Sequence, residues 1–228
     1  HANSSGGSTI SEFLAIIQAA RDAGQDVTTE MYPYEASYSD IGSALFDGWE
    51  SWEDDRFGRN MWVATGERLT RESFARYRQI TGGMITFSRT EEMTRTALRH
   101  PLTMIASDGR ILDDKGHPRS AGSYSKVLGQ YVREEQLIDL MDALRRMTIE
   151  PARRLQAYVP AMANKGRIRV GADADITVFD PETVLDQATY TDPARPSSGI
   201  EYVLVNGGIV LDDGTLHPEI RTGVAIKK

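Results

Sequence analysis

The chain contains no cysteine, which excludes disulfide bonds and thiolate metal ligands. No apolar run reaches the ~18 residues of a membrane-spanning helix, and no signal-peptide pattern opens the sequence. The 26 basic and 33 acidic residues give a net charge of −7, so neither nucleic acid nor an anionic membrane surface is expected as a partner. We therefore expect a soluble, cytoplasmic protein.

Histidine is also scarce. The four histidines are His1, His100, His117 and His217, and no HxH or HExxH ligand pair occurs among them. A metal site built from this chain alone is thus weakly supported. His100 precedes a proline at a helix end, where a structural role is favoured, and His217 is expected in a surface turn. His1 could ligate a metal through its ring, and its position could equally reflect processing or a piece of a larger assembly.

The first half of the chain alternates between helical and strand patterns. Helices are predicted over residues 9–23, 71–80 and 91–99, and strands over residues 26–31, 83–88 and 102–106. This alternation predicts parallel β/α units. Three strands cannot close a barrel, so they are interpreted as the second half of one.

Residues 38–68 carry Trp49, Trp52 and Trp62 among charged residues. One interpretation is a lid or a partner-facing surface with aromatic anchors. The favoured interpretation is an irregular excursion whose tryptophans pack on the body of the protein.

The C-terminal part changes character. Helices are predicted over residues 127–133, 135–147 and 149–155, and short alternating strands follow from residue 165, within GRIRVGADADITVFD and GIEYVLVNGGIVLDDG. Asn206-Gly207 is typical of a tight hairpin turn. The pattern predicts a small β module.

Polar side chains follow two of the predicted strands. Asp108 ends a short apolar run, and the carboxyl end of a buried strand is where α/β folds place reacting groups. A turn-capping role for Asp108 is equally probable from spacing alone. Arg119 lies in the following loop and could anchor a carboxylate or form a surface salt bridge. His117 precedes it, and Glu30, Tyr32 and Tyr34 end the strand over residues 26–31.

Several motifs together resemble the N-acyl-D-amino-acid deacylases (D-aminoacylases) of the metal-dependent amidohydrolase superfamily. They are DVTTEMYPYEAS, MIASDG, HPRSAGSYSKVLGQYVRE, RRMTIEPARRL, KGRIRVGADADITVFDPETVLDQATY and GIEYVLVNG. The resemblance covers residues 1–35 and 82–208 and is weak between 38 and 80. It implies an α/β fold: the C-terminal part of a (β/α)8 TIM-type barrel in residues 1–160, and strands of a small β-sandwich in residues 161–228.

The resemblance also implies roles for individual residues. Asp108 matches the aspartate at the end of the eighth strand that activates water at the metal, and Arg119 matches the arginine that holds the substrate's α-carboxylate. His1 matches a zinc-ligating histidine of the fifth strand. The sixth-strand histidine is missing under this alignment, and Glu30 could replace it as an oxygen ligand. His117, Tyr32 and Tyr34 are the further candidates for substrate binding.

The family's first-strand HxH ligands and its bridging ligand have no counterpart in these residues. We therefore expect the C-terminal chain of a two-chain enzyme that uses one Zn²⁺, or two, to hydrolyse an N-acyl amino acid. A companion chain would supply the other strands and ligands, and a higher oligomer stays open. Two alternatives remain: a non-catalytic binding or scaffolding subunit, and a hydrolase of a cyclic amide.

Overall fold

The computed structural model describes residues 1–4 and 9–227. Its helices are α1 Ile10–Asp22, α2 Asp54–Phe57, α3 Arg71–Arg78, α4 Glu91–Arg99, α5 Arg119–Lys126, α6 Leu140–Met147 and α7 Ile149–Gln156, and a π-helical segment, Val127–Glu134, continues α5. None of the helices within these residues is long and apolar enough to span a membrane.

Within the described residues, the strands form four separate sheets. They are β1 Thr29–Met31, β2 Ala36–Asp40, β3 Asn60–Trp62, β4 Gly83–Phe87, β5 Thr103–Ile105, β6 Ile111–Leu112, β7 Lys115–Gly116, β8 Ile176–Phe179, β9 Ile200–Val205, β10 Gly208–Asp212 and β11 Thr215–Leu216. The fold is thus α/β with both parallel and antiparallel pairing.

Strands β1 and β5 are parallel neighbours, with Thr29 opposite Thr103 and Met31 opposite Ile105. Met31 and Ile105 are buried in a core to which α1 and α4 contribute Leu14 and Leu98. Both strands have the short, apolar character that the sequence indicates. This pair confirms the prediction of parallel β/α units for these two strands.

The prediction that residues 83–88 form a third parallel strand is wrong. β4 lies in the centre of a different sheet, where it pairs antiparallel with both β2 and β3. A short apolar strand has the same local pattern in either kind of sheet, so only its partners decide the direction. β3 and the second half of β2 lie in residues 38–68, the segment that the sequence left least defined.

Residues 38–68 pack around an aromatic core of their own. The interpretation of these residues as an irregular excursion is therefore wrong. Trp52 and Trp62 are buried, Trp49 packs against the cluster, and Phe74 of α3 lies at its centre. The ring of Phe74 lies 5.2 Å from that of Trp52 and 5.4 Å from that of Phe57, between centroids. The tryptophans therefore pack inside the protein, as the favoured interpretation predicted.

Helix α3 begins after Thr70 through a reciprocal capping box. The Thr70 hydroxyl accepts from the Ser73 backbone N–H, and the Ser73 hydroxyl accepts from the Thr70 backbone N–H. Helix α6 starts at Leu140, later than predicted, because the Asp139 carboxylate caps it by accepting from the Asp142 backbone N–H at 2.8 Å.

The C-terminal module is a four-stranded antiparallel sheet in the order β11-β10-β9-β8. Asn206 and Gly207 both have positive φ, as a tight turn between β9 and β10 requires. The strand predicted within GRIRV is wrong: Ile168 and Val170 are exposed, because no strand within the described part of the chain covers them. The proposed division at residues 160 and 161 stays a prediction.

Candidate functional site

Asp108 lies in the loop that leaves β5 and has a φ of +45°. This left-handed conformation is uncommon for a residue with a side chain and costs free energy, which the surrounding contacts must offset. The loop is held against α5, since the Arg110 backbone N–H donates to the Ser120 hydroxyl at 2.7 Å. The backbone thus places the Asp108 carboxylate at the carboxyl end of the parallel pair.

Asp108 and Glu30 lie on either side of the His1 imidazole. The Nε2 atom of His1 is 3.2 Å from Oδ2 of Asp108, and Nδ1 is 3.3 Å from Oε1 of Glu30. All three metal-ligand candidates from the sequence are therefore brought together, although they are separated by 29 and 78 positions along the chain.

Arg119 is 3% exposed, and its Nη2 lies 2.7 Å from Oδ2 of Asp108. Its guanidinium also lies over the Tyr32 ring, 4.4 Å from the centroid. Its Nε is buried and has no hydrogen-bond partner among the described residues. A buried N–H without a partner costs free energy, so the contacts around Arg119 must offset this cost. The interpretation of Arg119 as a surface salt bridge is wrong.

The side chains of His1, Asp108 and Arg119 line an open cleft of about 480 Å³. Its walls include His1, Asp108, Arg119 and Tyr32, which the sequence identified, and also Asn3 and Arg89, which it did not. Asn3 is fully buried and donates to the Tyr32 carbonyl at 2.7 Å. No local motif marks Asn3 or Arg89, because their partners are distant in sequence.

His117 is fully buried and does not line the cleft, and its contact with substrate stays a prediction. Its Nδ1 accepts from the Arg119 backbone N–H at 3.1 Å, so the proton lies on Nε2, which donates to the Ala36 carbonyl at 3.1 Å. Burial, with a smaller contribution from the Arg119 charge, lowers the pKa of His117 to about 3. His117 is therefore a neutral group that positions the start of α5.

Tyr34 is also buried and does not line the cleft, and its contact with substrate likewise stays a prediction. Its hydroxyl donates to Oδ2 of Asp186 at 3.1 Å, which ties the end of β1 to the segment after β8. Burial and the Asp186 carboxylate hold the pKa of Tyr34 well above its usual value of 10.0. Tyr32 is thus the tyrosine of the pair that faces the cleft.

The donor atoms of His1, Asp108 and Glu30, one imidazole and two carboxylates, are of the types that zinc takes as ligands. Within residues 1–4 and 9–227, however, no group of three or more histidine, aspartate or glutamate side chains has the geometry to hold a metal ion. These residues fit part of a metal site, which needs further ligands from elsewhere.

The model of the amidohydrolase family matches residues 52–211. The chain belongs to this family. It is 36% identical over 222 residues to an N-acyl-D-glutamate deacylase from Alcaligenes xylosoxydans xylosoxydans, covering 94% of this chain and 44% of that protein. It is 34% identical over 206 residues to a D-aminoacylase from the same organism, covering 87% of this chain and 41% of that protein. The chain thus spans less than half the length of these relatives.

Solved amidohydrolase structures superimpose closely on the chain. An N-acyl-D-glutamate deacylase from Bordetella bronchiseptica, complexed with zinc and a phosphonate inhibitor that mimics the tetrahedral intermediate, matches with a TM-score of 0.78 and 32% identity, covering 98% of this chain and 47% of that one. A D-aminoacylase with a binuclear metal centre matches with a TM-score of 0.74 and 31% identity, covering 93% of this chain and 45% of that one.

Proposed function

We propose that this chain is the C-terminal half of a zinc-dependent amidohydrolase that removes the acyl group from N-acyl-D-amino acids. The observation that carries the proposal is the pairing of Asp108 with the buried Arg119 at 2.7 Å, at a cleft that also contains His1. A proton acceptor and a carboxylate-binding guanidinium side by side suit a substrate whose amide nitrogen is joined through one carbon atom to a carboxylate.

We further propose that β1 and β5 are the seventh and eighth strands of a (β/α)8 barrel. Successive strands of such a barrel are neighbours, and β1 pairs directly with β5. His1 precedes β1 by one helix, so it then lies at the end of the sixth strand. The family resemblance had assigned His1 to the fifth strand. Under this assignment Glu30 belongs to the seventh strand and does not replace the sixth-strand histidine.

His1 and Asp108 would hold the zinc, with Glu30 as a further oxygen donor. When bound, Zn²⁺ polarises the substrate carbonyl and lowers the pKa of water, which makes water a nucleophile near neutral pH. The remaining ligands would come from the N-terminal part of the barrel. We propose that a companion chain, or a continuous N-terminal segment, supplies that part, and the cytoplasmic location stays a prediction.

The chain's own residues would perform the proton transfer and the substrate alignment. Asp108 takes a proton from the water that attacks the carbonyl carbon and then delivers it to the leaving nitrogen as the C–N bond breaks. Arg119 binds the α-carboxylate through N–H groups of its guanidinium that Asp108 does not use. The Tyr32 ring limits how far that guanidinium can move.

The test compares Asp108→Asn with Asp113→Asn in the assembled protein. Asp113 is exposed in the same loop and also has a positive φ, which asparagine tolerates. We expect Asp108→Asn to lower kcat for an N-acyl-D-amino acid by at least about 10³-fold, and Asp113→Asn to have little effect. Normal turnover by Asp108→Asn would exclude it as the base.

Metal analysis of the same preparations separates the enzyme from a scaffolding subunit. About one zinc per assembled wild-type protein supports the proposal, in keeping with the donor types present. An assembled wild-type protein that retains no zinc and hydrolyses no amide would favour the scaffold.

A further inference from the structure

Arg89 is held at the cleft by the backbone. It follows β4, and its backbone N–H donates to the Glu35 carbonyl at 3.1 Å. Its Nη1 donates to the carbonyls of Tyr34 at 3.4 Å and Ala36 at 3.3 Å. These bonds orient the guanidinium without neutralising its charge, because carbonyl groups are dipoles and carry no net charge.

Arg89 forms no ion pair with a carboxylate in the described part of the chain, whereas Arg119 is paired with Asp108. Among the described residues, the charged side chains in the cleft wall are therefore two guanidiniums and one carboxylate, besides His1. A concave site with an excess positive charge attracts an anion. Once Arg119 has bound one carboxylate, Arg89 remains available for a second.

The two guanidiniums are fixed relative to each other through Tyr32. The Cζ of Arg89 lies 4.8 Å from the centroid of the Tyr32 ring, and that of Arg119 lies 4.4 Å from it. Ser37 and Ser39 of β2 and Ser88 also line the cleft and offer hydroxyl donors. These hydroxyls and the two guanidiniums offer donors to an anionic group, beside the apolar Leu45 and Met93 of the same cleft.

We propose that Arg89 is a specificity-determining residue that binds the side-chain carboxylate of an N-acyl amino acid with an acidic side chain. The proposal rests on the proposed deacylase function and assigns its substrate class. Arg119 binds the α-carboxylate and Arg89 binds the second carboxylate. These two contacts fix the orientation of the scissile amide relative to Asp108.

The test measures kcat/KM for N-acetyl-D-glutamate and N-acetyl-D-glutamine, which have the same shape and differ in charge. The proteins are the assembled wild type, Arg89→Met, Arg89→Lys and Arg68→Met. Arg68 is a matched control because its guanidinium lies 3.7 Å from the Phe87 ring centroid and does not line the cleft.

We expect Arg89→Met to lower the glutamate-to-glutamine ratio of kcat/KM by about 30-fold, chiefly through KM, since a hydrogen bond to a charged group is lost. Arg89→Lys should restore part of the ratio, and Arg68→Met should leave it unchanged. An equal loss for both substrates, or a ratio unchanged within about threefold, would mean that Arg89 only clamps the backbone of residues 34–36, and would overturn the proposal.

Calorimetric titration of the same two ligands in the Asp108→Asn background separates this inference from the proposed function. If no N-acyl-D-amino acid is hydrolysed by the wild type, the deacylase function fails. Preferential binding of the glutamate derivative that Arg89→Met abolishes would still support an acid-selective site. The absence of any preference would overturn the role of Arg89 whether or not the enzyme is active.

Discussion

Lowering the pH from 7.5 to 5.0 should destabilise the protein through His117. This imidazole is fully buried between Arg119 and Ala36, and the hydrogen bond that its Nδ1 accepts requires the neutral form. Burial and the nearby Arg119 charge lower the pKa of His117 from 6.5 to about 3. Between these two values, the unfolded chain binds a proton at His117 and the folded protein does not.

Proton binding to the unfolded state favours unfolding, so stability falls as the pH falls below 6.5. At pH 5.0 the unfolded-state pKa lies 1.5 units above the pH. At 1.36 kcal/mol per pKa unit, His117 alone should therefore cost about 2 kcal/mol of unfolding free energy relative to pH 7.5. The loss continues as the pH approaches about 3.

The measurement is urea unfolding of the assembled protein at both pH values, for wild type, His117→Gln and His217→Gln. His117→Gln should be less stable at pH 7.5, because two buried hydrogen bonds are altered, but its stability should fall by about 2 kcal/mol less on acidification. His217 lies in an exposed part of the chain beside Glu219 and serves as the control.

Other groups that titrate in this range, including His100, contribute equally to wild type and variant. The change in unfolding free energy between the two pH values therefore differs between these proteins only by the contribution of His117. The same pH dependence in wild type and His117→Gln would refute the conclusion that His117 is buried and neutral. A change of slope in His217→Gln as well would show that the effect is not specific to the buried imidazole.

Two further predictions concern the segment between β1 and β5. Phe74→Ala should lower the unfolding free energy by about 4 kcal/mol in denaturant titrations, because it removes the ring at the centre of the aromatic core; a loss below about 1 kcal/mol would mean that the core is loosely packed. Thr70→Ala should cost about 1 kcal/mol by removing one half of the capping box, whereas Thr65→Ala, on an exposed residue nearby, should have a smaller effect in the same titrations.

Local sequence patterns predicted most helices and several strands correctly. Thr70 before α3, the apolar spacing of α4 and the Asn206-Gly207 turn act over a few residues, so the sequence contains the whole of their cause. The end of β5 shortly before Asp108 was predicted for the same reason. The pairing of β4 was not, because a five-residue apolar strand does not encode the direction of its neighbours.

The site residues also divide into those that the sequence identified and those whose surroundings it did not predict. Asp108, Arg119, His1 and Glu30 were identified from strand ends and family motifs, and the structure brings them together. The burial of His117 and Tyr34 was not predicted, since neither residue type indicates whether its side chain is buried. Their roles come from long-range contacts: His117 bonds to a residue 81 positions away, and Tyr34 to one 152 positions away.

The sequence by itself determined the family motifs, the local elements and the residue types available for chemistry. Only the tertiary structure decided which polar groups are buried, which strands are neighbours and which charges are left unpaired, because these depend on contacts between distant parts of the chain. Arg89 illustrates the difference: its sequence neighbours give no sign of a ligand, and its place beside Tyr32 arises from the folding of β4 against β2.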